Sequence, residues 1–365
     1  MRDNSPAERF KVGAISVLLC LVLLVTACAT PCFSPTQWLY VTVETDKPLY
    51  GLSENVLITG NLTSLDLPVE NALVAVEIRD SADIPLSFRT RPTGASPNDN
   101  LAIAFTELFA STSMGVPQYS FKRNTYLWVR FTIKNNSPLA RNVTTAISVY
   151  DYNNAPFSAY VPFSTYLEVN QSAIVIFMAG LIPVWVSLGT ATIYGNIYSD
   201  LPQNGGYPYC SEKLATFTIT STGSQGLVTS EYTSTDALAQ IPGTYELSLK
   251  LPNEGRVGNY TIFVSAYYYG LQDVENTQFE VDLIGDINGD GYVELLDFFL
   301  LSQAFGSYPG SPNWDPRCDI YPWPDGDGYV ELMDFYLASQ HFGDHIPQPY
   351  NIFSESLNYT IFITN

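Results

Sequence analysis

Residues 243–266 read GTYELSLKLPNEGRVGNYTIFVSA, and their apolar side chains alternate: Tyr245, Leu247, Leu249 and Leu251, then, beyond a Pro- and Gly-containing turn, Tyr260, Ile262 and Val264. A period of two places every second side chain on one face of an extended chain, so this stretch predicts two β-strands, each with one buried and one wet face. The same period recurs at Val41 and Val43, at Val74, Val76 and Ile78, and at Leu127, Val129, Phe131 and Ile133. Gly, Pro, Asn and Asp bound these runs, as they bound antiparallel strands. No helical period intrudes before residue 290. The expected fold is mainly β, with β-sandwich domains followed by a small α-helical domain.

A chain of 365 residues has room for two or three domains, each with its own core. The formal net charge is -20, and the acid is concentrated: residues 285–345 hold eleven Asp and Glu against Arg317 alone, or -10 in 61 residues. Such a field repels nucleic acid and anionic membrane, and a compact domain carrying it needs bound cations. Tyr, Phe, Pro and Gly are abundant and charged residues sparse, which suits extracellular β structure better than a helical cytosolic enzyme.

The acidic region is an internal repeat. DGYVELLDFFLLSQAFG begins at Asp290 and DGYVELMDFYLASQHFG at Asp327, with 13 of 17 positions identical at an offset of 37. Each copy reads as a loop followed by a helix. In the first, Asp286, Asn288 and Asp290 stand at alternate positions, Gly291 makes the turn, and Asp297 closes a twelve-residue frame. Calcium takes six to eight hard oxygen ligands. Those three side chains, the Tyr292 carbonyl, Glu294 through a water, and Asp297 from the helix's first turn supply such a set.

In the second copy Asp325, Asp327, Tyr329, Glu331 and Asp334 repeat the pattern, but position one falls on Trp323. Asp319 takes that role if Tyr321 to Pro324 bulge out as a four-residue insertion. Two calcium ions are therefore expected. After each closing Asp the apolar residues Phe298, Leu301 and Phe305, then Phe335, Ala338 and Phe342, recur at helical spacing and are expected to be core.

The closing Asp in place of Glu, the absence of an incoming helix and the tandem arrangement resemble the dockerin family over residues 284–346. That resemblance implies two loop-helix units about a pseudo-twofold axis that present helix surfaces to a cohesin-type partner. Loop positions ten and eleven, which carry much of the family's partner recognition, are here Leu295 and Leu296, then Leu332 and Met333. The implied contact is apolar.

TDKPLYGLSENVLITGNL, from Thr45, resembles the opening strands of the immunoglobulin-like macroglobulin domains, and residues 243–283 resemble the closing strands. The family's Cys-Gly-Glu-Gln thioester is absent, so protease trapping is not implied. The expected organisation is one Ig-like sandwich (38–92 plus 221–283) interrupted by an inserted β domain (93–220), which resembles small adhesion-related surface domains. Three domains in series is the alternative. A tail at 347–365 follows the dockerin-like region.

The N-terminus reads as an export segment at residues 1–28, followed by a spacer at 29–37. Arg9 and Lys11 precede an apolar stretch, and Val25-Thr26-Ala27-Cys28 resembles a lipobox in which Cys28 is lipidated. Cleavage after Ala29 and an uncleaved anchor are the rival readings. Cys32, Cys210 and Cys318 match no metal knuckle. Six sequons, at Asn61, Asn135, Asn142, Asn170, Asn259 and Asn358, agree with an exported, surface-exposed glycoprotein.

Both histidines, His341 and His345, lie at or beyond the second helix, so the β region cannot hold a His-based triad or zinc site. The expectation is a secreted or cell-surface adaptor without catalytic activity. The alternative is a dockerin-bearing polysaccharide-active enzyme or carbohydrate-binding component, since Trp128, Trp185 and Tyr267 to Tyr269 are able to stack on a cell-surface glycan.

Overall fold

The computed structural model describes residues 38–94, 102–221, 241–346 and 359–364. The export segment with Cys28, the spacer with Cys32, and the Asn358 sequon lie outside the described residues. The described chain is mainly β.

Two sheets are built from both ends of the β region. The first has the order β1 (Leu39–Val41), β4 (Asn55–Ser64), β16 (Thr244–Lys250), with short β2 (Glu44–Thr45) and β5 (Leu67–Pro68) also on β4. The second runs β3 (Leu49–Gly51), β18 (Leu271–Asp282), β17 (Gly258–Tyr268), β6 (Leu73–Arg79), β7 (Pro85–Pro92). Leu247 faces Ile58 across β16 and β4, and Val264 faces Val76 across β17 and β6. The alternating residues bury into one core that holds Val56, Ile58, Val74 and Val76 together with Leu247, Leu249, Ile262 and Val264.

The intervening residues form a second pair of sheets. One has the order β8 (Ile103–Ser111), β10 (Tyr126–Asn135), β13 (Ser172–Leu181), β19 (Tyr359–Thr364). The other runs β9 (Ser120–Lys122), β15 (Lys213–Thr220), β14 (Gly189–Tyr198), β11 (Arg141–Tyr150), β12 (Pro156–Leu167). Phe131, Ile133 and Phe177 from the first meet Val143, Ile193 and Phe217 from the second in a separate core. The segment read from sequence as a tail thus contributes a strand. Its run of β-branched and aromatic residues, YTIFIT, pairs antiparallel along β13 from Ser172↔Thr364 to Phe177↔Tyr359.

The two β bodies meet through β6 and β7, where simple alternation fails. Six of the seven residues of β6 are buried: Val74, Val76 and Ile78 enter the first core, while Ala75, Glu77 and Arg79 lie on the opposite face. The Glu77 carboxylate accepts from Arg79 Nε at 2.7 Å and from the Gln203 amide at 3.0 Å. Burial still holds it above the usual carboxylate range, with the Gln203 and Arg79 contacts opposing.

As an edge strand, β7 exposes backbone polar groups that need partners, and side chains of the second body supply them. The Phe88 amide donates to Ser148 Oγ at 2.7 Å; Asn196 Nδ2 donates to the Phe88 carbonyl at 3.0 Å and Tyr198 Oη to the Arg89 carbonyl at 3.0 Å. Arg89 crosses to Glu212 with two bonds, at 2.9 and 2.8 Å, and its guanidinium lies 3.6 Å from the Tyr194 ring centroid.

The C-terminal module follows β18 without a spacer. It contains α1 (Leu295–Ala304) and α2 (Leu332–Gln340), which share a core of Ile287, Leu301, Ala304, Cys318, Ile320, Val330 and Ala338. Leu283 and Val293 bury into the first β core instead, with Ile346 packed against them. Ile284 abuts Gly51 so closely that a Cβ there would collide with it.

Candidate functional site

The two repeats interlock through equivalent bonds. Gly306 N donates to the Val330 carbonyl at 2.8 Å, and Gly343 N donates to the Val293 carbonyl at 2.9 Å. Val330 N donates to Ser307 at 3.0 Å as Val293 N donates to Asp344 at 2.8 Å. Phe305 meets Phe335 edge-on at 5.7 Å and Phe342 meets Phe298 at 5.6 Å, again related by the offset of the repeat. Each loop is thus closed by the residues that follow the other copy's helix.

Within the first loop, Asp286 Oδ1 accepts the Gly289 and Asp290 amides at 2.9 and 3.1 Å, and its Oδ2 accepts the Gly291 amide at 2.8 Å. Asn288 accepts the Asp290 amide and Asp290 the Tyr292 amide. Asp297, fully buried, ties both ends together: Oδ1 accepts the Ile287 and Asn288 amides at 2.8 and 3.2 Å, and Oδ2 the Glu294 amide at 2.8 Å. Burial raises the Asp286 carboxyl above its ordinary value, and the Gly291 and Gly289 amides pull the other way.

The second loop repeats this pattern with a longer span. Asp319 accepts the Asp327 and Gly328 amides at 3.0 and 2.9 Å, as Asp286 accepts those of Asp290 and Gly291. Asp334, also fully buried, accepts the Ile320 and Tyr321 amides at 2.7 and 2.9 Å and the Glu331 amide at 2.7 Å. Asp327 accepts the Tyr329 amide at 3.0 Å. Asp319, not Trp323, therefore holds the place of Asp286. Gly326, at φ 69°, lies so close to the Asp319 carboxylate that a Cβ would strike it. Asp325, Glu294 and Glu331 are exposed side chains on the loops.

Among the described residues no three His, Cys, Asp or Glu side chains converge as a metal-holding group. The loop carboxylates are turned onto backbone amides. A carboxylate has about four acceptor positions, so Asp286, with three amides, retains capacity for a further partner. The donor set, oxygens only and mostly ionised, fits a hard cation such as calcium. If calcium binds, Asp286, Asn288, Asp290 and Asp297, with Asp319, Asp325, Asp327 and Asp334, are the side chains to hold it, and it would supply charge neutralisation. His341 Nδ1 instead pairs with Asp344 at 3.0 Å, and His345 stacks on Tyr292 at 5.9 Å.

The start of each helix turns its apolar residues outward. Leu295 is 76% exposed and Leu332 73%, with Leu296 less so and Met333 half-buried. One turn on, Phe299 and Tyr336, each 57% exposed, extend the same faces. In the sequence only their spacing of four from Leu295 and Leu332 marks Phe299 and Tyr336 as part of these faces. Phe305 and Phe342, expected to be core, are half-exposed because the helices end at Ala304 and Gln340, one and two residues before them. Leu301 and Ala338 are buried as expected.

Cys210 and Cys318 are buried, and burial pushes the Cys318 thiol up to about 12, so it stays protonated near neutral pH. Asn135 is not a surface acceptor: it is fully buried, and its side-chain amide donates to the carbonyls of Leu139, Leu167 and Glu168. Trp128 is half-buried, and Trp185 packs against the second core. Among the described residues no helix is long and apolar enough to cross a membrane.

No protein-family model matches the chain, and no curated protein does. Solved structures align only in part. The C-terminal domain of wzt aligns at TM-score 0.28 and 11% identity, over 36% of this chain and 84% of that one. A β-glucuronidase of Bacteroides uniformis aligns at TM-score 0.26 and 9% identity, over 45% and 26%. The alkylpurine DNA glycosylase AlkC of Pseudomonas fluorescens, bound to DNA with an abasic-site analogue, aligns at TM-score 0.25 and 9% identity, over 32% and 30%. The chain spans under a third of the two enzymes' lengths.

Proposed function

We propose that the chain is an exported, non-catalytic adaptor whose C-terminal module docks, dockerin-like and with two bound calcium ions, onto a cohesin-type partner. The β bodies, read as Ig-like, act as a rigid display element at the cell surface. The observation that carries the reading is the matched pair of Asp286 and Asp319, which hold equivalent amides in two loops that each precede an outward-facing apolar helix start. In this account Leu295, Leu296, Leu332 and Met333, joined by Phe299 and Tyr336, form the contact. Calcium neutralises the crowded loop carboxylates and so sets the position of both helices.

The test is capture of a cohesin-type domain by the full chain with calcium and with chelator. Binding should require calcium, and Leu295→Asp with Leu332→Asp should abolish it without changing calcium affinity. Capture that persists in chelator, or that survives both substitutions, contradicts the proposal.

A further inference from the structure

A cleft of about 650 Å³ opens where the two β bodies meet. Glu70, Asn71 and Tyr267 to Tyr269 line it from the first body, Pro208 and Tyr209 from the second. Just behind, Tyr207 stacks on Tyr267 at 4.4 Å with planes 18° apart, and Tyr209 meets Tyr207 edge-on at 5.6 Å. These rings are held in place. Ser265 Oγ donates to the Gly206 carbonyl, Gln272 Nε2 to the Gly205 carbonyl, and Tyr209 Oη to the Asn142 carbonyl at 3.0 Å.

Tyr269 stands out. It sits at the tip of the β17–β18 turn with φ 47°, a left-handed conformation that costs a side chain with a Cβ and that Asn or Gly adopts readily. Its ring is 85% exposed, so burial does not offset that strain. Backbone strain of this kind clusters at active sites, ligand clamps and switch regions.

The charge of the lining narrows the ligand. Among the described residues that line it, Glu70 is the one carboxylate and none is cationic, in a chain of net charge -20, so an anionic ligand is disfavoured. A proline-rich peptide, the other common occupant of aromatic grooves, lacks amide donors at its prolines and offers Glu70 none. A sugar ring has an apolar C–H face for a tyrosine and hydroxyl donors for a carboxylate and an amide. We infer that this cleft binds a neutral polysaccharide, with sugar rings on Tyr267 and Tyr269 and hydroxyls bonded by Glu70 and Asn71.

The experiment is calorimetry on the full chain in EDTA, where calcium-dependent docking plays no part, with cello-, xylo-, manno- and N-acetylchitohexaose and a polyproline dodecamer as probes. At least one hexasaccharide should bind. Tyr269→Gly should weaken it roughly tenfold while the thermal midpoint holds or rises, because the left-handed strain is removed; Tyr267→Ala should weaken it too. The inference is overturned if no hexasaccharide binds at a concentration on the order of 5 mM, if polyproline binds instead, or if Tyr269→Gly leaves the affinity unchanged.

Discussion

The Asp319 carboxylate accepts the Gly328 amide at 2.9 Å, across nine residues of chain. The equivalent bond in the first repeat, from Gly291 to Asp286, spans five. The difference is four extra residues between Ile320 and Asp325, of which Tyr321 is still tied in, its amide held by Asp334 at 2.9 Å as the Asn288 amide is held by Asp297. An insertion is tolerated here because lengthening a loop adds little closure entropy while both anchoring carboxylates, Asp319 and Asp334, keep their amides.

Deletion of residues 321–324 should therefore leave the second loop intact. It restores the spacing of the first, with Asp325 at the place of Asn288. Calcium titration of the deletion variant should give an affinity for the second loop at least equal to that of the parent chain. A lost site would mean that the inserted residues themselves build it.

The Arg89–Glu212 pair gives the β bodies a defined acid response. Burial works to raise the Glu212 carboxyl, but Arg89, with Arg91 and the Thr90 amide, holds it below the usual range. A depressed folded value means that the pair's stabilisation is complete above the unfolded carboxylate pKa of about 4.3 and is lost as pH falls through the folded one. Glu77, raised by burial, contributes with the opposite sign. The informative quantity is thus the difference between parent and Glu212→Gln. In urea unfolding that difference should be about 3–5 kcal/mol near pH 7, because Arg89 is left buried without its counter-charge, and should shrink below about pH 4.

Gly51→Ala probes the seam between β body and module. The added methyl meets Ile284, which is buried beside the first loop, so overpacking should cost about 1–3 kcal/mol. Calcium affinity should fall at the first loop and hold at the second. Equal loss at both, or none at either, would show that the seam does not support the loop.

Much of the β framework was legible because one core face per strand makes the alternation clean, as at Tyr245 to Leu251. It failed where a strand has two buried faces: Glu77 and Arg79 look wet by period but lie buried at the meeting of two bodies, which no local pattern reveals. The repeat made Asp286, Asp297 and Asp334 readable, and spacing from Asp334 exposed the anomaly at Trp323. The tyrosine cleft was only half visible, because Tyr207 and Tyr209 join Tyr267 through folding across some sixty residues of chain. β19 was missed because a short run after the repeats carries no sign of its distant partner.

The most direct test of the account is calorimetric titration of calcium into the full chain, whose Leu283, Val293 and Ile346 need the β core they are buried in. Two sites should appear, one surviving in Asp286→Ala, the other in Asp319→Ala, and neither in the double variant. No binding at millimolar calcium, or binding unchanged in the double variant, would contradict the central claim.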